Sequence, residues 1–143
     1  MKVSTQEKSD NRREIVRQLR SHGITPTSQR VQIATVMLSR PQHLSAEQVM
    51  ELANGEGKQV SKATVYNTLG LFAEKGLIRE LVVDPTRSFY DSSTHSHHHF
   101  FNSETQELTD IPDGVLDLHL PPQLPPNTEI ERVEVVVHLR SSS

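Results

Sequence analysis

Along the first 75 residues, apolar positions recur at three- and four-residue intervals, and glycine or proline interrupts them at short distances. From about 7 to 22, Ile15, Val16 and Leu19 form one narrow apolar stripe, and Gly23 supplies the residue that ends a helix. A second helix is expected with Thr25 as its cap and Pro26 at its first position. Its inner face is Val31, Ala34, Met37 and Leu38, and Pro41 closes it. Ser45 and Gln48 have the spacing of a capping box and open a third helix, with Val49, Leu52 and Ala53 inward before Gly55 and Gly57 stop it. Ser61 caps a fourth helix whose inner stripe is Val65, Leu69 and Phe72 and whose end is Gly76.

The period then shortens. Residues 77–83 and 87–91 are short β-type runs around Asp84-Pro85-Thr86, a turn-forming stretch. Ser92, Ser93 and Thr94 are small and polar and make the best candidate linker. Beyond them, 97–101 and 106–111 form a second hairpin around 102–105. Residues 115–120 are expected to make a short helix cut off by the prolines from 121 to 126. The run 132–139, rich in valine, is the strongest strand of the chain. Helices followed by a hairpin, with a capped helix just ahead of it, are the plan of a winged helix-turn-helix. The expected class is therefore α+β: an N-terminal winged helix-turn-helix followed by a small α/β domain.

The fourth helix separates its residues sharply. Val65, Leu69 and Phe72 lie on one side at 100° spacing, with Ala63, Asn67, Gly70 and Glu74 opposite and Thr64 and Tyr66 on the flanks. A small outer face can approach a groove floor. Tyr66 and Asn67 can reach base edges, while Ser61, Lys62 and Thr64 can bond phosphates at the helix start. The alternative is that Ala63 and Gly70 pack against another helix in a structural bundle. Charge favours DNA. Residues 1–90 hold 13 Lys and Arg against 9 Asp and Glu, a net +4, whereas residues 91–143 hold 2 against 9, a net −7.

Composition narrows the chemistry. Cysteine is absent, which excludes disulfides, thiolate metal sites and cysteine nucleophiles. At 143 residues with 34% apolar residues and no Trp, the core is thin for a lone monomer, so support from a second subunit or a metal is expected. No apolar run is long enough for a membrane span and no signal-peptide segment is recognisable, so a cytoplasmic protein is expected. His95, His97, His98 and His99 crowd five positions. On a strand His97 and His99 share a face and His98 points away, so two imidazoles can take one ion without bending the backbone. A solvated histidine-rich strand is the weaker alternative.

Several stretches closely resemble the ferric uptake regulator (Fur) family: GITPTSQRVQI (23–33), HLSAEQV (43–49), VSKATVYNTLGLFAEKGLI (60–78), and SFYD continuing to HSHHHFFNSETQELTDI. The absence of cysteine, the triple histidine at 97–99 and the LPPQLPP ending look most like its iron response regulator (Irr) branch. The resemblance implies a homodimer that binds a partly palindromic double-stranded DNA operator. Arg30 matches a backbone-contacting arginine and Tyr66 a base-contacting tyrosine. Many members carry Arg where this chain has Asn67, and that changes base preference from guanine toward adenine. The implied division is a DNA-binding domain over 1–91, a linker over 92–96, and a dimerisation and metal-sensing domain over 97–143.

The resemblance also implies a regulatory metal site on His43, Asp91, His97, His99 and Asp110. Three nitrogens and two oxygens without sulfur suit Fe(II), Mn(II) or Zn(II). Asp stands where the family usually has Glu at both acidic positions. From the Irr branch comes haem as a second ligand, at His97, His98 and His99. The expected protein is a regulator and not an enzyme. Two other classes remain open: a metal-dependent hydrolase using the same histidines, and a histidine-rich buffering protein. The first lacks a separate general acid, and the second leaves the basic half unexplained.

Overall fold

The computed structural model describes residues 5–56, 58–93 and 98–142. The chain forms two compact units, Met1–Thr94 and His95–Ser143.

In the first unit, α1 (Thr5–Ser21) buries Ile15 and Leu19 and half-buries Val16. Gly23, at φ +74°, turns the chain so that the Ile24 N–H bonds the Leu19 carbonyl at 2.9 Å and Ile24 enters the core. Helix α2 (Ser28–Leu38) starts later than the proline suggests. Its cap is Thr27 rather than Thr25, and the Thr27 side chain accepts the Arg30 N–H at 3.2 Å. The residue ahead of a proline is driven to extended conformations, and the Arg30 guanidinium holds that turn by donating to the Thr25 carbonyl at 2.8 Å. Ile33 joins Val31, Ala34 and Met37 among the buried residues of α2.

The two-residue strand β1 (His43–Leu44) leads into α3 (Ala46–Glu56), and the capping box forms in both directions. The Ser45 N–H donates to the Gln48 side chain at 2.9 Å, and the Gln48 N–H donates to the Ser45 hydroxyl at 3.2 Å. Two expectations fail in α3. Gly55 lies within the helix rather than ending it, and Gly57 falls outside the described residues. Leu52 is 53% exposed instead of buried. The inward arc runs from Val49 through Ala53 and Ala46 toward the half-buried Met50, and Leu52 lies roughly 60° outside its Val49 edge at 100° per residue.

Helix α4 (Lys62–Glu74) is capped by Ser61, whose hydroxyl accepts the Thr64 N–H at 3.1 Å. It buries Val65, Leu69 and Phe72 completely, with Thr68 beside them. Ala63, Asn67, Gly70 and Glu74 are exposed, and a Cβ built on Gly70 meets nothing within 4 Å. The helix-packing alternative for this face is therefore overturned among the described residues. Gly76, at φ +77°, turns the chain into a sheet of order β1-β3-β2, with β2 at Arg79–Asp84 and β3 at Arg87–Asp91. Leu77 and Ile78 are buried ahead of β2 rather than within it. The hairpin turn is held by Asp84, which accepts the Thr86 N–H at 2.8 Å. Ser92 is fixed by the Gln42 N–H, which donates to its hydroxyl at 3.2 Å.

The second unit is a sheet of order β5-β4-β6, with β4 at His99–Asn102, β5 at Glu107–Asp110 and β6 at Val136–Leu139. Strands β4 and β5 pair antiparallel, and β4 and β6 pair parallel. The Asn102 side chain accepts the N–H groups of Glu104 and Thr105, and Gln106 completes the turn at φ +64°. Two expectations fail here as well. Residues 115–120 form no helix. Gly114 sits at φ +80°, and so short a segment with exposed Val115 and Leu120 has no packing to offset helix nucleation. The valine-rich run is a strand over only four residues, because β4 offers only four partners, His99 to Asn102.

The α4 packing gives a paired stability prediction. Phe72→Ala should lower unfolding free energy by about 3–5 kcal/mol through the cavity it leaves. Gly70→Ala should raise it by about 0.4–1 kcal/mol, since the new methyl meets open space in a helix. Urea unfolding followed by circular dichroism reads both.

Candidate functional site

Asp91 ends β3, the central strand of the first sheet, directly opposite His43 of β1 on one side and Arg79 of β2 on the other. Its side chain is 1% exposed and lies with Oδ2 3.2 Å from the His43 Nε2, while Oδ1 accepts the Ser93 N–H at 2.8 Å. Burying a carboxylate is costly unless it is hydrogen-bonded and met by positive charge, so this position constrains everything around it. β1 is what brings the histidine across. A two-residue strand carries no periodicity, and the sequence pattern does not reveal it.

The second unit repeats the arrangement with burial reversed. His99 of β4 stands opposite Asp110 of β5, with Nε2 3.1 Å from Oδ1. Here the imidazole is 1% exposed and the carboxylate 47% exposed. His97, assigned to the same face as His99, lies outside the described residues, as does His95. His98 has a different role. Its Nδ1 accepts the Val135 N–H at 3.1 Å and its carbonyl accepts the Ile111 N–H at 2.8 Å, so it joins the start of β6 to β4. An Nδ1 that accepts leaves the proton of a neutral ring on Nε2. His138 packs edge-on against Phe101, with ring centres 6.0 Å apart.

Each His–Asp pair can be tested for fit to a metal. An ion bonded to an imidazole nitrogen and a carboxylate oxygen at about 2.1 Å holds the two atoms roughly 3.0–3.4 Å apart, from octahedral to tetrahedral angles. Separations of 3.2 Å and 3.1 Å fall in that range. The same separations suit an ion pair with a protonated imidazole, so each pair is ready for either partner.

The α4 surface gathers most of the sequence-predicted DNA residues. Arg30, Thr64 and Asn67 line one open concavity of about 580 Å³ with Lys58, Gln59 and Thr27. The Ser61 hydroxyl donates to the Thr64 hydroxyl at 2.9 Å and is otherwise taken up by the cap, so Thr64 keeps a proton to donate outward. Tyr66 is 40% exposed, and the Lys62 ammonium lies 5.8 Å from its ring centre. The Tyr66 hydroxyl donates to Oε1 of Glu47 at 2.6 Å. That bond is the first cause holding the Glu47 carboxyl below its ordinary range, and it likewise raises the Tyr66 phenol. Sequence reasoning missed Glu47, Lys58 and Gln59. Glu47 stands 19 positions from its partner, and only the packing of α3 beside α4 joins them.

Helices ending in a capped, polar-faced helix and a three-stranded wing define a winged helix-turn-helix protein, here followed by a small sheet unit. Residues 21–136 match the ferric uptake regulator family, and the chain belongs to that family of metal-responsive transcription regulators. The peroxide-responsive repressor PerR of Staphylococcus aureus strain Mu50 is 29% identical over 120 residues, spanning 84% of this chain and 74% of that protein. The ferric uptake regulator of Pseudomonas aeruginosa, solved with manganese, is 24% identical at a TM-score of 0.66 and covers 89% of this chain and 97% of its own. The Vibrio cholerae ferric uptake regulator is 21% identical at a TM-score of 0.70, covering 88% and 98%. These likenesses establish the fold: an N-terminal winged-helix unit followed by a small sheet unit. Among the described residues no helix is long and apolar enough to cross a membrane.

If the pairs hold metal, His43→Ala and His99→Ala should each weaken Mn(II) and Zn(II) binding by more than the ~10–100-fold typical of losing an outer-shell partner. Calorimetric titration checks this. Affinity should fall on acidification, since protons compete with the ion for each ligating imidazole.

Proposed function

We propose that this protein is a homodimeric, metal-responsive transcription regulator that binds a partly palindromic duplex operator through α4. Arg30, Ser61, Lys62 and Thr64 engage phosphates, and Tyr66 and Asn67 read bases. The regulatory ion, Fe(II), Mn(II) or Zn(II), is held by His43, Asp91, His97, His99 and Asp110. The observation that carries this reading is the His–Asp pair present in each unit, at 3.2 Å and 3.1 Å. An ion sharing both pairs joins the DNA-binding domain, 1–91, to the dimerisation domain, 97–143, across the linker 92–96. Its binding energy then favours one arrangement of the two reading helices of the dimer. Such a protein works in the cytoplasm, where its operator is.

Within the family we place the chain nearest the iron response regulators, on the absence of cysteine and the histidine tract. The haem implied by that branch does not fit the described part of the tract. The His99 imidazole is buried against Asp110, ligation through the His98 Nε2 needs the other tautomer and loses the Val135 bond, and Phe101 is buried in the sheet. The reading therefore rests on a divalent ion.

Duplex binding measured by fluorescence anisotropy tests it. Affinity should fall steeply with salt, and Arg30→Ala should reduce the log–log salt slope by about 1. Tyr66→Ala should weaken operator binding and leave metal stoichiometry unchanged. Equal DNA affinity with and without saturating Mn(II) or Fe(II) overturns the sensor role; no duplex binding at low salt overturns the regulator.

A further inference from the structure

Glu47 is out of place on a surface that meets phosphates. It is exposed in the first turn of α3, and its carboxylate takes the proton end of Tyr66 at 2.6 Å. A phenol has one proton to donate and lone pairs to accept with. Once the proton is committed to a carboxylate, only acceptance is left for anything approaching from outside. The length of the bond is that of a charge-assisted hydroxyl–carboxylate contact. Both members keep the protonation this needs near neutral pH, because Glu47 is shifted down and Tyr66 up. Lys62, seated over the Tyr66 ring, offsets the negative charge that Glu47 brings to the surface.

We infer that Glu47 is a specificity-determining residue that makes the Tyr66 oxygen an obligate hydrogen-bond acceptor toward DNA. The inference rests on the regulator reading above and deepens it. In the major groove the base edges that donate are the N6 amino group of adenine and the N4 amino group of cytosine. The O4 of thymine and the O6 and N7 of guanine only accept. Tyr66 therefore selects an amino-bearing base at the position it reaches and turns away both carbonyl edges and phosphate oxygens. Glu47 itself acts through Tyr66 as a positioning residue. The acidic charge, unfavourable for affinity alone, is accounted for by this selectivity.

The test starts from duplexes selected by the full-length protein out of a randomised pool, with or without Mn(II). Each adenine or cytosine of the selected site is then exchanged in turn for guanine or thymine, in pairs with their complements. For the wild-type protein, one exchange should cost about tenfold through loss of the accepted bond. Tyr66→Phe should lose that discrimination, and Glu47→Ala should reduce it to about twofold, because the freed hydroxyl can turn and donate. A second readout needs no DNA. The chain has two tyrosines, and the NMR titration missing from Tyr66→Phe is assigned to Tyr66, the other belonging to Tyr90, which burial pushes up to about 12. Glu47→Ala should move that titration down toward about 10. Wild-type discrimination retained in Glu47→Ala, or an unmoved Tyr66 titration, overturns this inference alone. A pool from which no duplex is selected overturns the regulator reading and this inference with it.

Discussion

A carboxylate removed from water must be answered locally, and Asp91 is where this chain faces that requirement. The charge sits on the central strand of the first sheet, so its neighbours are dictated by register: His43 across one ladder and Arg79 across the other. A two-residue strand that contributes little to the sheet as a whole is needed to bring the imidazole to the carboxylate. The second unit meets the same demand from the other side, burying the imidazole of His99 and leaving Asp110 partly wet. Both pairs use directly opposed residues of antiparallel strands, the closest approach a sheet allows to two side chains on one face. Side-chain pairs built this way are held in place by the backbone ladders that carry them.

The outward face of α4 depends on a different constraint, the apolar packing beneath it. Val65, Leu69 and Phe72 lock one side of α4 into the core, so the opposite side is fixed outward without any contact of its own. The cap at Ser61 decides where the helix begins and spends one hydroxyl doing so. What is left beside Arg30 of α2 is a short set of polar groups, Thr64 and Asn67 of α4 with Lys58 and Gln59 ahead of it. Glu47 adds an acidic group from the first turn of α3 and holds the Tyr66 hydroxyl.

The second unit has much less to hold it together. Among its described residues the fully buried side chains are His99 and Phe101, with Ile111 close behind, while Leu120, Leu124 and Ile130 lie exposed along irregular backbone. β6 depends on β4 for its length, and the His98 side chain is part of what starts it. Dimerisation, which the family implies, is the event expected to cover apolar surface of this kind.

Several local signals determined their outcome by themselves. The capping box at Ser45 and Gln48, the cap at Ser61, the stripe of Val65, Leu69 and Phe72, the Asp84 turn and the second hairpin all follow from contacts within a few residues. Of the residues proposed as ligands, His43 and Asp91 fall together and so do His99 and Asp110, while His97 lies outside the described residues. Tertiary structure decided the rest, and for one reason: those features depend on residues far apart in the chain. Leu52 faced water because α3 met its neighbours along a different arc. β6 was trimmed by the length of β4, and Glu47 found Tyr66 only when α3 lay beside α4. Periodicity reports which face of an element is apolar; it carries no information about which distant partner that face, or the charge beside it, will meet.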